Sequence, residues 1–407
     1  MRLPSRDSIE GLRPISRNLS LDLIAAIGVG VSGALVSSLL PTIARRGGLE
    51  PLGLAVLGAT PFLTNLLSIF SGRIGPQSPR QFALLRALGA GSLMALVVAS
   101  PALAIMVVTL LYWIGLSFGS PYQLRLWGAT YPARMRGRIV GFLGTGRSAA
   151  AAAAALIGGL LADRFGGPQA VALAGLIGAV CALAYVAFRA SSAAAPLEYS
   201  ARESIAAMRG RPTLGRVALA QGFYGGGFIA AGPLFALVNV DRLNLSLFDV
   251  GIIGVLSAVA TTVAFLVWGH VSDRVDVIAP MRFGSIIGLV GLILYAVAPG
   301  VAVLWLASIA IGTSGPSIEI GVAGVISAET PMATRAAAMA GWNAITGARG
   351  LIAPFVMSAL VQAGLISVTV ALLGCAATSG VGMVLFWWAS ARARTDVGGR
   401  PIPDPAR

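Results

Sequence analysis

The sequence predicts an all-α membrane protein, twelve transmembrane helices in two pseudo-symmetric six-helix bundles. Three observations predict it. Apolar residues make up 57% of the 407 residues and charged residues 11%, with a mean hydropathy of +0.85, against about 45–50% and about 25% in soluble domains. Long apolar runs recur along the chain, and short polar motifs return at an offset of about 200 residues.

A spanning helix needs about 20 mostly apolar residues. Such runs cover 21–43, 51–72, 81–99, 102–130, 138–162 and 168–188, then 216–240, 248–271, 281–298, 301–328, 337–363 and 366–389. Trp387 and Trp388 close the last run, where aromatic rings suit the bilayer interface. No cleavage pattern precedes the first run, so it reads as a retained helix.

Charge asymmetry sets the orientation. With the N-terminus in the cytoplasm, 22 Arg residues fall on cytoplasmic segments and four on outer loops: Arg45, Arg46, Arg164 and Arg242. That split predicts both termini inside. The cytoplasmic tally includes Arg86 and Arg282, read as flanking charges. The formal charge of +14 is thereby explained by segments beside the membrane, with no nucleic-acid partner.

The domain reading is 1–189 for the first bundle with its N-tail, 190–215 for a cytoplasmic linker, and 216–407 for the second bundle with its C-tail. Within the linker, Ser200 stands three residues before Glu203, the spacing of a capping box, so a short surface helix fits there. The halves look duplicated. "YPARMRGR" at 131–138 matches "TPMATRAA" at 330–337, with Pro132 and Pro331 199 apart, and Arg73 in "FSGRIG" precedes Arg274 in "VSDRVD" by 201. Each pair falls at the same place in its half. This implies bundles related by a pseudo-two-fold axis along the membrane normal.

Rare residues exclude several chemistries. All 29 basic side chains are Arg, so there is no P-loop Lys and no Lys Schiff base. One His (His270) and two Cys (Cys181, Cys375) are too few for a structural zinc or an iron–sulfur cluster. The expectation is no cofactor, no metal and no enzyme, since no nucleophile–base–orienter set can be assembled.

Here the residues resemble the major facilitator superfamily, over roughly residues 18–390. Its signature between the second and third helices, G-x-x-x-D-R-x-G-R-R or a relaxed form, is similar to Gly269, Asp273 and Arg274 in "GHVSDRVD". The first half supplies Arg73 and Gly75, with Ser68 and Gly72 where Gly and Asp are expected. "ATYPARMRGRIVG" looks like the family's fourth-to-fifth loop and "GGLLADRFGG" like the end of its fifth helix. The resemblance implies a cytoplasmic gate in which Asp273 docks on the start of the fifth span near Arg136 and Arg138, a carboxylate against a helix N-terminus. Its mirror contact lacks the Asp, so the latch would be lopsided. The alternative is that these charges only mark the membrane boundary.

Ionisable groups at membrane depth are costly and face a cavity or one another. Arg147 lies roughly 14 Å into the fifth span and Arg349 roughly 18 Å into the eleventh, at about 1.5 Å per residue. They are 202 apart, so they read as symmetry mates near the midplane. Glu319, the acidic residue read as deep in a span, lies roughly 15 Å into the tenth, on a face with Gly312, Gly315, Pro316 and Ala323. Arg125 and Gln123 on the fourth span are shallower, and Arg125 is long enough to snorkel. Asp22 reads as the opening of the first helix, where a carboxylate needs no functional explanation. "GFYGGGF" at 222–228 reads as a bend or break in the seventh span, with Gln221 and Tyr224 beside it for the cavity or for interior packing. The alanine run at 148–156 reads as a close-packing surface. The drug-antiporter pattern G-P-x-x-G-G is missing.

Two readings of the charges stand. In one, Arg147 and Arg349 hold an anionic or strongly polar substrate and Glu319 couples it to protons. In the other, Glu319 and Arg349 form a fixed ion pair. The resemblance implies a secondary transporter working by rocker-switch alternating access, its partners a small-molecule substrate, protons and the lipid bilayer, with a monomer sufficient. The alternatives are an exporter of drugs or other lipophilic compounds and, in another class, a non-transporting sensor or scaffold. All-Arg usage and the absence of a targeting extension point to a bacterial inner membrane.

Overall fold

The computed structural model describes residues 6–67, 75–98, 102–131, 133–189, 200–331 and 334–397. Side chains of 6–15, 121, 124, 128, 133–138, 201, 336 and 394–397 lie outside the description. Every regular element among the described residues is helical. The chain divides into two compact units, Met1–Glu198 with Ala236–Val259, and Tyr199–Phe235 with Ala260–Arg407. The segment 236–259, which the sequence reading gives to the second bundle, is thus part of unit 1.

Unit 1 begins with α1 (Arg6–Ala34), which passes through a π-helical turn, Leu35–Leu39, into α2 (Leu40–Arg46). The turn has a local cause. Pro41 has no N–H for the carbonyl four residues back, and the turn before it widens so that Leu40 N–H reaches Leu35 O. Then come α3 (Pro51–Leu67), α4 (Pro79–Gly91) with a 3-10 extension Ser92–Val97, α5 (Ala102–Ser117) and α6 (Ser120–Thr130). Next are α7 (Ala133–Phe165) and α8 (Gly167–Ala182), the latter with a 3-10 end at Leu183–Ala187. Ser78 caps α4 by accepting Gln81 N–H. The chain breaks the fourth expected span at Phe118–Gly119, with Pro121 in the first turn of α6.

Unit 2 holds α9 (Ala201–Met208), most of α10 (Pro212–Leu237), the later part of α11 (Leu247–Arg274), α12 (Ala279–Val297), α13 (Val301–Glu329), α14 (Arg335–Gln362) and α15 (Val368–Val397). The short helix α9 has its capping box. Ser200 Oγ accepts Glu203 N–H and Glu203 accepts the Ser200 N–H. Those hydrogen bonds hold the Glu203 carboxyl below its usual pKa. α9 lies on α14, where a Cβ at Gly341 would meet Ser204 O and Met208 Sδ at 2.7 Å. At the start of α10, Glu329 accepts the free N–H groups of Thr213 and Leu214 at 3.2 and 2.9 Å.

Among the described residues nine helices are long and apolar enough to cross a bilayer, with Pro51–Leu67 and Ala102–Ser117 shorter. Of the expected spans, 51–72 is described only as far as Leu67, 81–99 changes to a 3-10 helix at Ser92 and 102–130 is broken at Phe118–Gly119. Large apolar side chains such as Leu88, Val98, Leu103 and Leu266 stand more than 70% exposed. A water-facing protein would bury them, and lipid removes the need.

The expected break at "GFYGGGF" is not there. α10 runs unbroken through it. Gly227 is needed for contact instead, since a Cβ there would lie 2.4 Å from Cys375 O on α15. Arg282, assigned above to a loop, is 6% exposed. It pairs with Asp276 at 2.7 Å and stacks on Trp387 at 5.2 Å. The expected run 281–298 already contains Arg282, and only its contacts with Asp276 and Trp387 show that the charge is buried in the helix.

Candidate functional site

In unit 2 the site is built on the glycines of α10. Arg349, from α14, donates through Nη1 to Gln221 O. Its guanidinium carbon sits 3.0 Å from where a Cβ at Gly225 would be, and Gln221 Nε2 is 2.7 Å from the same point. Only the missing side chain leaves room for both. Arg349 Nε and Gln221 Oε1 are buried without a hydrogen-bond partner among the described residues. One orphan donor and one orphan acceptor therefore belong to the two side chains that meet at Gly225, and each costs about 1–3 kcal/mol while unpaired.

Tyr224 is placed differently from Gln221. It is 2% exposed and packs in a core cluster with Phe228 and Phe386, so it supports the site by packing. Glu319 is on the exposed face of α13 next to Gly315, where an added Cβ would meet open space. Gly269 is half-buried, and Asp273 and Arg274 are exposed at the end of α11.

In unit 1, Arg147 is exposed on α7, and Gly30 of α1 lies against its carbonyl. Arg125 reaches out to Gln77 at 3.1 Å with its guanidinium over the Tyr122 ring, as a snorkelling side chain does. Arg73 lies outside the described residues, and so do the side chains of Arg136 and Arg138.

Sequence reasoning missed a buried polar cluster. Asp22 is well inside α1, not at its start, and is 1% exposed. Its Oδ2 accepts Tyr131 Oη and Trp127 Nε1 (3.2 Å), and its Oδ1 accepts Tyr185 Oη. Tyr185 in turn accepts Gln123 Nε2 at 3.0 Å, and Gln123 Oε1 accepts Arg86 Nη2 at 2.8 Å. Arg86, also assigned above to a loop, is 8% exposed with its guanidinium 4.6 Å over the Phe82 ring. Glu319 is therefore not the one acidic residue deep in a span. A carboxylate followed by a long apolar run is the signal that could have exposed Asp22, had the helix been started earlier.

A family model for the Major Facilitator Superfamily matches residues 23–315 and 217–405. The chain belongs to the Major Facilitator Superfamily. It is an integral membrane protein of that family. Two solved structures share its fold. One is a mutant of the nucleoside transporter NupG, with a TM-score of 0.75 and 14% identity over 92% of this chain and 99% of that one. The other is a POT family transporter in complex with a thioalcohol-conjugated peptide, with a TM-score of 0.73 and 12% identity over 92% and 96%. At such identities the likeness concerns the fold. No curated protein matches the chain significantly.

Proposed function

We propose that this superfamily member is a secondary transporter that moves a small anionic or strongly polar solute by rocker-switch alternating access. Both termini are cytoplasmic in this reading, and the domains are 1–189, 190–215 and 216–407. The observation that carries it is the pair of orphaned groups at Gly225. A solute offering an acceptor to Arg349 Nε and a donor to Gln221 Oε1 satisfies both, whereas a purely lipophilic cargo leaves both unpaired. Arg147, 202 residues earlier in the duplicated half, supplies a second guanidinium. Gln123 and Arg125 are further candidate site residues in unit 1, and Tyr224 fixes α10 behind Gln221.

Coupling to protons is assigned to Glu319. Protonation changes its charge, and a transporter shifts between states only through differential affinity. Asp273 with Arg274, Gly269, Arg73, Arg136 and Arg138 forms the cytoplasmic gate.

The test is flux in proteoliposomes across a panel of small anions, polar neutral solutes and lipophilic cations. Arg147→Gln and Arg349→Gln are expected to abolish anion flux, and Glu319→Gln to stop uphill transport while leaving exchange. Lipophilic-cation export that survives both Arg substitutions would instead make the protein a drug exporter, and binding without flux would make it a sensor.

A further inference from the structure

We propose that a small chamber in unit 1, beside Arg86, is a binding site for a monatomic anion, and that protonation of Asp22 raises its affinity. The chamber is lined by Ser32, Arg86 and Tyr112 among Ala25, Ala90 and Gly178. Its volume of about 20 Å³ admits one group of water size, for which about 10–15 Å³ is enough. Arg86 lines it with a side chain more than nine-tenths buried, and its Nε is buried without a hydrogen-bond partner among the described residues. Ser32 Oγ donates to Gly28 O at 2.9 Å and lies 3.3 Å from the Tyr112 hydroxyl, so Tyr112 can turn its proton from Ser32 to a guest.

The charges select an anion. Arg86 faces the chamber from α4, and the Arg147 charge on α7 acts on both Arg86 and Tyr112. Against these stands Asp22, whose carboxylate also acts on Arg86 electrostatically and is joined to it by hydrogen bonds through Gln123 and Tyr185. The other titratable groups facing Asp22 are Tyr131 and Tyr185, with Trp127 as a neutral donor. Two cations and one carboxylate leave the local sum positive.

The hydrogen-bond chain has one polarity. Arg86 donates to Gln123, Gln123 donates to Tyr185, and Tyr185 donates to Asp22. An ionised carboxylate can only accept. With its proton on Oδ1, Asp22 donates to Tyr185, and Tyr185 then donates onward. The Gln123 amide then turns its oxygen to Tyr185 and its N–H groups to Arg86. Arg86 loses its acceptor at the moment the neutralising charge on Asp22 disappears, and an anion in the chamber replaces both. This reading concerns a site apart from Gly225 and does not require that the cargo be anionic.

The experiment is thermal unfolding of the full-length protein in detergent, with sodium chloride titrated against sodium gluconate at fixed ionic strength, at about pH 5 and about pH 8. Chloride is expected to stabilise and the bulky gluconate not. The half-effect concentration should be about tenfold lower at the acid pH. Asp22→Asn should show the acid-pH affinity at both pH values, and Arg86→Gln should lose the chloride effect. Should Arg86→Gln fail to give a monodisperse protein, Tyr112→Phe takes its place and should raise the half-effect concentration. No chloride-specific stabilisation in the wild type, an undiminished effect in Arg86→Gln or Tyr112→Phe, or a pH difference that persists in Asp22→Asn would each overturn the proposal. The readout is binding, so a protein that binds chloride yet carries no anion refutes the cargo reading alone.

Discussion

The Asp163 carboxylate accepts the backbone N–H of Leu247 at 2.9 Å through one oxygen, and that of Phe248 at 2.8 Å through the other. Asp163 is in the last turn of α7, and Leu247 opens α11. A carboxylate over the free N–H groups of a helix start satisfies two orphan donors and meets the positive end of the dipole. Sequence spacing delivers it there. Ala155, Gly159 and Asp163 recur every fourth residue on one face of α7. A Cβ at Gly159 would lie 2.7 Å from Leu247 O, and one at Gly251 would lie 2.5 Å from Ala155 O. Ala155 and Gly159 thus pack closely against α11, and Asp163, one turn further on, becomes the cap.

Two acidic residues of unit 1 should therefore differ in worth. Asp163→Ala removes a cap shared by two N–H groups and is expected to cost about 1–2 kcal/mol. Asp241 pairs with Arg45 at 2.8 Å, but the two side chains are 40% and 24% exposed, and such a pair is worth about 0–1 kcal/mol. Thermal unfolding of the two alanine variants checks the order. An Asp241→Ala loss as large as that of Asp163→Ala would show that the cap is not the stronger contact.

At Gly225 a side chain and the candidate site exclude each other. Gly225→Val places branched carbon where Arg349 Cζ and Gln221 Nε2 already crowd a single Cβ position. The far ends of those side chains can swing away, so the helix survives and the guanidinium is displaced. Flux of any accepted anion should fall by about tenfold or more, with a small change in melting temperature. Gly222→Ala, three residues earlier where an added Cβ meets open space, is the control and should transport normally.

The helices were legible because bilayer length and Arg placement act residue by residue along the chain. The network around Asp22 was not. Its partners Tyr131 and Tyr185 stand 109 and 163 residues away, and nothing local marks a tyrosine as the donor to a distant carboxylate. Asp22 and Arg86 were misassigned for the same reason. A hydropathy window that admits a charge does not say whether it is buried, and only partners distant in sequence, here Gln123 and Tyr185, show it. Arg349 is marked in the sequence by its depth and its 202-residue offset from Arg147, while its contact with the α10 glycines needed the third dimension. Read along the chain, three glycines suggest a break, yet here they admit a guanidinium and a neighbouring helix.

The capping box of α9 gives a pH signature. The folded-state pKa of Glu203 lies below its ordinary value because Ser200 donates to the ionised form. A depressed carboxylate pKa contributes stability above the unfolded pKa, and this is lost as the pH falls through the folded one. Backbone amide exchange in Ala201–Met208 should therefore accelerate as the pH drops below about 4, relative to an unstructured reference peptide. Glu203→Gln should flatten that dependence. An equal acid response in both proteins would place the protonating group elsewhere.

The gate proposal leads to a different kind of experiment. Asp273 and Arg274 are exposed at the end of α11, with no ion pair to each other among the described contacts. A carboxylate left in that position is suited to meet the N-terminus of another helix in one transport state and water in the other, and such a contact biases the equilibrium only by its difference between the states. Asp273→Asn keeps the shape and removes the charge. It should lower the transport rate several-fold at every concentration while the ranking of competing solutes stays the same, since the substrate groups at Gly225 are untouched. Single-molecule distance measurements between labels on the two halves would then show the closed population reduced. A variant with wild-type rate and wild-type populations would mean that Asp273 marks the membrane boundary and nothing more.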